Sequence, residues 1–247
     1  MGPRTDRDFA ASRIVELRRY TLHPGQFDRL LAVFQTHLVA PQVAAGMRMG
    51  DQFRDRDDPD RFVWFRGFDS MEQRRRALEA FYDGPVWLRH RDEANATMVD
   101  SDDVLLLRPT SPPHPPRPAS SADRSSATGE SAVVQILALA EEQDCPAWIT
   151  HDYHAFLESG LDVAVAMWQS EPSPNSFPRL PVRAGNYVVS LALFASDQDR
   201  EARLTRLAAA SRWEHYRQEL AAAGIAIEWM HLALARPLTG SAPTDTT

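Results

Sequence analysis

The sequence predicts an α+β fold: two tandem β-α-β-β-α-β units packed sheet to sheet as an intramolecular α+β barrel. Three observations lead there. Apolar periodicity alternates between two and helical spacing in the same order twice along the chain. Landmarks recur: Phe68 and Ser70 match Phe194 and Ser196, Trp87 matches Trp213, and Leu107-Arg108-Pro109 matches Ala235-Arg236-Pro237. A Pro- and Ser-rich stretch separates the two runs. The expected organisation is a disordered tail at 1–12, a first domain at 13–109, a linker at 110–130, a second, degenerate domain at 131–238 and a disordered tail at 239–247.

The elements follow in order. Residues 14–22 alternate as a strand, and Pro24-Gly25 punctuates it. Phe27, Leu30, Leu31, Phe34 and Leu38 form one helical stripe, which Pro41 ends. Strands are expected at 47–54 and 61–68, joined by an Asp57-Asp58-Pro59-Asp60 turn. Ser70 followed by Gln73 reads as a capping box. Gly84-Pro85 breaks that helix, a second helix runs from 86 to 98, and 104–108 closes as the fourth strand. The second half repeats this plan: strand 133–140, helix 148–159, strand 163–169, a Pro-rich excursion at 171–181 and strand 186–194. Ser196 then caps a helix pair reaching 223, and strand 228–235 is last. Each unit covers one sheet face with helices. The remaining two faces pack together, and a cavity is expected between the sheets.

Composition narrows the chemistry. All 27 basic residues are Arg, which excludes a Schiff-base lysine, ordinary pyridoxal chemistry and a Walker-A loop. With 34 acidic residues the net charge is -7, a poor balance for sequence-independent nucleic-acid binding. The first 13 residues mix Arg and Asp without an apolar core, and no run approaches a membrane span. A cytoplasmic protein with no nucleic-acid and no membrane partner is expected. Cys145, the single cysteine, precedes Pro146 and reads as an inert thiol. His151 and His154 flank Asp152 without a third ligand at a recognised spacing. Neither a Gly-x-Gly-x-x-Gly nor a Gly-x-Ser-x-Gly motif occurs. No metal and no cofactor is expected.

The run Glu16-Leu17-Arg18-Arg19-Tyr20-Thr21-Leu22-His23-Pro24-Gly25 resembles the opening motif of the NIPSNAP family. So do Val63-Trp64-Phe65-Arg66-Gly67-Phe68-Asp69-Ser70, Gly84-Pro85-Val86-Trp87, and the stretch from His90-Arg91-Asp92 through Asn95 to Leu105-Leu106-Leu107-Arg108-Pro109. The resemblance covers residues 13–109. The second half keeps only the element order, the tryptophan and the final Arg-Pro; Gln135, Leu137 and Leu139 stand where the Glu-Leu-Arg-x-Tyr motif would fall. The resemblance implies a tandem bacterial member of the ferredoxin-like α+β-barrel superfamily. That superfamily holds cofactor-free monooxygenases, isomerases, polyketide cyclases, haem enzymes and non-enzymatic members, so it implies a fold more than a reaction.

Candidate site residues come from strand alternation. Val15, Leu17, Val63 and Phe65 are expected under the helices. Glu16, Arg18, Tyr20, Phe62, Trp64, Arg66 and Phe68 then face the inter-sheet cavity, joined by Met47, Met49, Asp51 and Phe53. Glu16 either pairs with Arg18 or Arg66 as a structural ion pair or meets a ligand directly; the residue types leave both open. Arg18 and Arg66 outnumber it and favour an anionic or enolisable small molecule, with Trp64 and Phe53 stacking on its rings. His90, one turn after Trp87, is the proton-transfer candidate beside Glu16 and Tyr20. Tyr82, Trp87 and Asn95 complete the candidate binding set. The Arg74-Arg75-Arg76 run reads as a solvated helix face. The expected function is a tailoring protein for an aromatic or polyketide-like molecule, using cofactor-independent proton transfer in cyclisation, isomerisation or oxygenation. The alternative is a non-catalytic binding or accessory protein with the same cavity. A homodimer of the whole chain is also compatible with this plan.

Overall fold

The structure is a computed structural model that describes residues 7–110, 130–140 and 144–236. The expected C-terminal tail and all but the ends of the expected linker lie outside the described residues. Eight strands close into one barrel in the order β1-β3-β2-β8-β5-β7-β6-β4. The first half supplies β1 (Ile14–Leu22), β2 (Arg48–Asp55), β3 (Arg61–Phe68) and β4 (Met98–Pro109). The second supplies β5 (Ser131–Leu139), β6 (Val165–Ser170), β7 (Asn186–Phe194) and β8 (Ala226–Leu234). Every strand pair is antiparallel. The halves meet at two seams. At one, Phe53, Arg54 and Asp55 of β2 face Leu234, Ala233 and Leu232 of β8. At the other, Leu107, Arg108 and Pro109 of β4 face Ser170, Gln169 and Trp168 of β6. Closure satisfies every sheet edge, which neither half could do alone.

Helices lie outside the barrel. The first half carries α1 (Phe27–Val33), a π-helical segment Phe34–Leu38, α2 (Val39–Ala44), α3 (Met71–Tyr82) and α4 (Pro85–Asn95). The second carries a π-helical segment Ile149–Tyr153, α5 (His154–Leu161), α6 (Asp197–Ala209) and α7 (Ser211–Ala222). The expected caps form: Ser70 Oγ accepts from the Gln73 amide and Ser196 Oγ from the Asp199 amide, each at 3.1 Å. Pro41 does not end the first helical stretch. It sits near the start of α2, the position that tolerates a missing amide. The second helix of the first half ends at Asn95 rather than 98, and β4 starts correspondingly early.

Strand faces correct the sequence reading. Val15, Leu17, Val63 and Phe65 point into the barrel, not under the helices. There they join Phe53, Leu105, Val134, Ile136, Trp168 and Val189 in one apolar core drawn from both halves. Tyr20, Phe62, Trp64 and Phe68 point the other way, into the core under α1–α4. The alternation was correct and its direction inverted. Both faces are buried, so period two groups the residues without saying which group faces the barrel. A second correction concerns β2. An irregularity between Met49 and Gln52 shifts its alternation, so Met47 and Met49 lie under the helices while Phe53 lies inside the barrel. The interior expected to be a cavity is packed with side chains.

The N-terminal segment is a third correction. Arg7–Ala11 is a turn of 3₁₀ helix, not tail. Phe9 is 6% exposed and stacks on Phe65 with ring centroids 5.2 Å apart, and Trp168 lies 6.2 Å away. It caps one end of the barrel core. The nominal start of the linker, Thr110, is also buried, its amide donating to the Met167 carbonyl at 3.3 Å.

Because both seams and the interior are shared, cutting the chain between residues 110 and 130 should leave the halves associated. Size-exclusion chromatography of the nicked protein should show one species at the intact mass, resolving into fragments only in denaturant. Two independent folded fragments in native buffer would refute the shared core.

Candidate functional site

The most unusual buried chemistry lies between the first-half sheet and its helices. Glu16 on β1 stands opposite Arg66 on β3, and Arg18 is two residues along the same face. All are fully buried. Glu16 Oε2 accepts from Arg66 Nε at 2.7 Å and from Arg18 Nη1 at 2.9 Å. Its other oxygen, Oε1, accepts from Arg74 Nε at 2.6 Å. Arg74 descends from α3. Ser70 caps that helix and places Arg74 on the stripe that continues through Ala77, Leu78 and Phe81. Arg75 and Arg76 fall off the stripe and pair with Glu72 in solvent.

Three guanidiniums therefore surround one carboxylate, leaving an excess of two buried positive charges. Burial by itself would raise the Glu16 carboxyl. The adjoining Arg66, Arg74 and Arg18 outweigh it and hold the group far below the ordinary carboxylate range. Glu16 is thus a permanent anion with its lone pairs engaged, a counter-ion rather than a proton shuttle. Some donors remain unmatched. Arg66 Nη2, Arg74 Nη2 and Trp64 Nε1 are buried without hydrogen-bond partners. The Trp64 ring lies near both Arg66 and Arg18, with guanidinium carbons 5.3 and 5.6 Å from its centroid.

Beside this cluster is a small cavity of about 30 Å³. The sheet contributes Tyr20 and Trp64 to its wall, and α1 with the adjoining π-helical segment contributes Leu30, Phe34 and Leu38. Gln42, Phe81, Tyr82, Trp87, Ala94 and Met98 close it. Tyr20 Oη accepts from Arg18 Nε at 2.8 Å, which leaves its own proton for another acceptor. Burial raises the Tyr20 pKa despite the nearby Arg18, so it stays a neutral donor. Gln42 is already engaged: its Nε2 donates to the Leu38 carbonyl and its Oε1 accepts from Arg66 Nη1, both at 3.1 Å. The free polar groups of Tyr20 and Trp64 are donors, with cationic side chains behind them.

The NIPSNAP family model matches residues 15–112. The first half of the chain is thus similar to the NIPSNAP family. An uncharacterized NIPSNAP-like domain protein from Burkholderia xenovorans is 25% identical over 41% of this chain and 89% of its own, with a TM-score of 0.38. A NIPSNAP family protein from Agrobacterium tumefaciens is 19% identical over 40% of this chain and 93% of its own, at 0.37. An anthrone oxidase-like protein matches both halves together, covering 92% of this chain and 93% of its own at a TM-score of 0.55 and 12% identity. That likeness shows the tandem barrel fold. No curated protein matches the chain.

In the first half, the structure brings Glu16, Arg18, Tyr20, Trp64 and Arg66 together, and Tyr82 and Trp87 line the cavity with Tyr20 and Trp64. The cavity is not between the sheets, as the sequence reading had it, but between one sheet and its helices. Four candidates fall elsewhere. Phe53 faces the barrel interior. Asp51 lies in the irregular part of β2, outside the cavity wall. Asn95 is exposed at the last position of α4. His90 is half-buried on α4, its ring stacked on His37 at 3.9 Å between centroids. His90 lies one helical turn from Trp87 but is absent from the cavity wall, and its ring turns to the neighbouring helical segment. Arg74 is the residue sequence reasoning missed. Its signal was the apolar stripe it starts, hidden by the two solvated arginines that follow.

The second half has dismantled the same site. Strand register puts Val133 opposite Ala192, where Glu16 meets Arg66, and Gln135 opposite Ser190, where Arg18 meets Trp64. Leu137 therefore replaces Tyr20, and the motif comparison was out of step by two residues. Gln135 now exchanges hydrogen bonds with Tyr153 Oη at 2.8 and 3.1 Å. Arg200, the counterpart of Arg74 four residues after its cap, binds Ser131 Oγ at 3.0 Å and Asp197 at 3.1 Å.

Proposed function

We propose that the NIPSNAP half binds a small aromatic or enolisable molecule by its oxyanion and tailors it by cofactor-independent proton transfer. The observation that carries this reading is the cavity wall: its free polar groups, Tyr20 O–H and Trp64 N–H, are donors, backed by two uncompensated buried positive charges. Such a wall stabilises a phenolate or enolate in preference to its neutral form. Glu16, committed to three guanidiniums, is not the base. Among the described residues of the wall, Tyr20 and Tyr82 carry the hydroxyl groups. Tyr20, positioned by Arg18, is thus the hydrogen-bond donor to the bound oxyanion. Cyclisation, isomerisation and oxygenation of a stabilised carbanion all pass through such an anion. A non-catalytic binding role is the second reading. It is favoured by one observation: the described wall holds no group that ordinarily titrates near neutral pH.

A cavity of about 30 Å³ holds a water or two, so an aromatic ligand must displace side chains as it enters. The test is titration with 1-hydroxy-2-naphthoate as a fluorescent probe. Tyr20→Phe and Trp64→Phe should each weaken binding about ten- to a hundred-fold, the cost of an ionic hydrogen bond. Arg75→Leu, on the outer face of α3, should bind as the parent does. Equal affinity in Tyr20→Phe and the parent would remove the cavity from consideration. Mass spectrometry of the incubated probe and of enolisable ketones separates turnover from binding alone.

A further inference from the structure

We propose that the second half completes the first half's site: the segment between β6 and β7, residues 171–185, backs its wall, and Phe177 sets the size of ligand admitted. This rests on the cavity assigned above. The matching connection in the first half, between β2 and β3, spans only residues 56–60. The longer one does not stay with its own half. Its ends run along the free stretch of β4, the Glu171 amide donating to the Leu106 carbonyl at 2.9 Å and the Arg183 amide to the Val104 carbonyl at 2.8 Å. Its middle crosses to α3. Asn175 Oδ1 and Ser176 Oγ accept from Arg74 Nη1 at 2.9 and 3.1 Å, and Ser176 Oγ donates to the Met71 carbonyl at 3.0 Å. Arg179 pairs with Asp83 at 2.8 Å, just past the end of α3.

Phe177 is buried with the first-half core and stacks on Tyr82 at 5.9 Å and 25°. Tyr82 is itself cavity wall and meets Trp87, also wall, at 4.9 Å. Behind Tyr82, therefore, the next layer belongs to the other half of the chain. A ligand that outgrows the cavity pushes on Tyr82, and Phe177 resists. The same segment fixes Arg74, and with it the charge cluster. This explains a tandem chain in which one half keeps the polar site and the other has lost it: the second half has become the support behind the first half's wall.

The experiment compares salicylate, 1-hydroxy-2-naphthoate and an anthracene hydroxy acid, which carry the same anionic head on one, two and three rings. Phe177→Ala, and the milder Phe177→Leu should the first unfold, is expected to improve three-ring binding at least tenfold relative to one-ring binding. Tyr20→Phe should instead weaken all the probes that bind by a similar factor. An unchanged size ranking in both Phe177 variants overturns the proposal. Hydrogen exchange of the ligand-free protein provides a second arm. Phe177→Ala should speed exchange across residues 71–95 and leave 197–222 unaffected. If no probe binds the parent protein, the oxyanion reading fails by itself. The wall assignment then stands on faster exchange across 71–95 and falls if exchange there is unchanged.

Discussion

Glu16→Gln is expected to be the most damaging conservative substitution in the chain. It removes the one anion among three fully buried guanidiniums at hydrogen-bond distance. Breaking a buried pair by deleting one partner costs about 3–5 kcal/mol, because the other charge is left uncompensated. Here three are left. For a domain of this size that loss corresponds to a fall in Tm of roughly 6–20 °C. Arg66→Leu should be far milder, since Glu16 keeps Arg18 and Arg74 and the excess positive charge drops. Adding Arg66→Leu to Glu16→Gln should therefore recover part of the lost stability. The dependence on pH follows from the depressed Glu16 carboxyl. Its contribution is complete above the ordinary carboxylate value of ~4.3 and is lost as pH falls below it toward the folded value. The stability gap between parent and Glu16→Gln should thus be widest near pH 7 and narrower by about 2 kcal/mol at pH 3, read by urea unfolding. A Glu16→Gln protein that melts with the parent would show that the cluster does not depend on its carboxylate.

Phe9→Ala should have the second-largest effect, although the residue lies in what the sequence presents as a polar tail. Its ring caps the barrel core against Phe65 and Trp168. Deleting a buried phenylalanine side chain costs about 3–5 kcal/mol, and the rim position favours the lower end. Deleting residues 1–12 should reproduce the loss. Gly67→Ala should mimic it from the other side. A Cβ at Gly67 would overlap the side chain of Ser12 and stand 2.9 Å from the Phe9 carbonyl oxygen, so the 3₁₀ segment must lift off β3. Since Phe9→Ala and Gly67→Ala disrupt one contact, their effects on Tm should not add. A truncated chain that melts like the full one would place Phe9 outside the cooperative core.

Much of the fold is legible in the sequence. Strand alternation, the helical stripes and the Ser70 and Ser196 caps are local properties, set by a residue and its near neighbours in sequence. So was the duplication, because equivalent elements keep their order even after the side chains diverge. The grouping of Glu16, Arg18, Tyr20, Trp64 and Arg66 was equally local: period two on neighbouring strands puts them on a common face.

What remained was decided by contacts between distant parts of the chain. Which sheet face turns toward the barrel depends on what each side can satisfy. The barrel interior, walled by strands from both halves, is mostly apolar and holds Arg19 only where Asp103 and Glu228 pair with it, so the more apolar faces went inside. The charged face went under the helices, where Gln42 and Arg74 could meet it. Arg74 in a three-arginine run, Phe9 in a polar terminus and Phe177 in a Pro-rich excursion each look solvated locally. Each is buried because a strand or helix far away in sequence leaves a gap that its side chain fills. The sequence by itself determined the elements, their order and the set of polar residues that share a face. Only tertiary closure determined which side that face is on and that residues 175–177 would pack against the first half's helices, because burial is a property of the packed surface rather than of the segment.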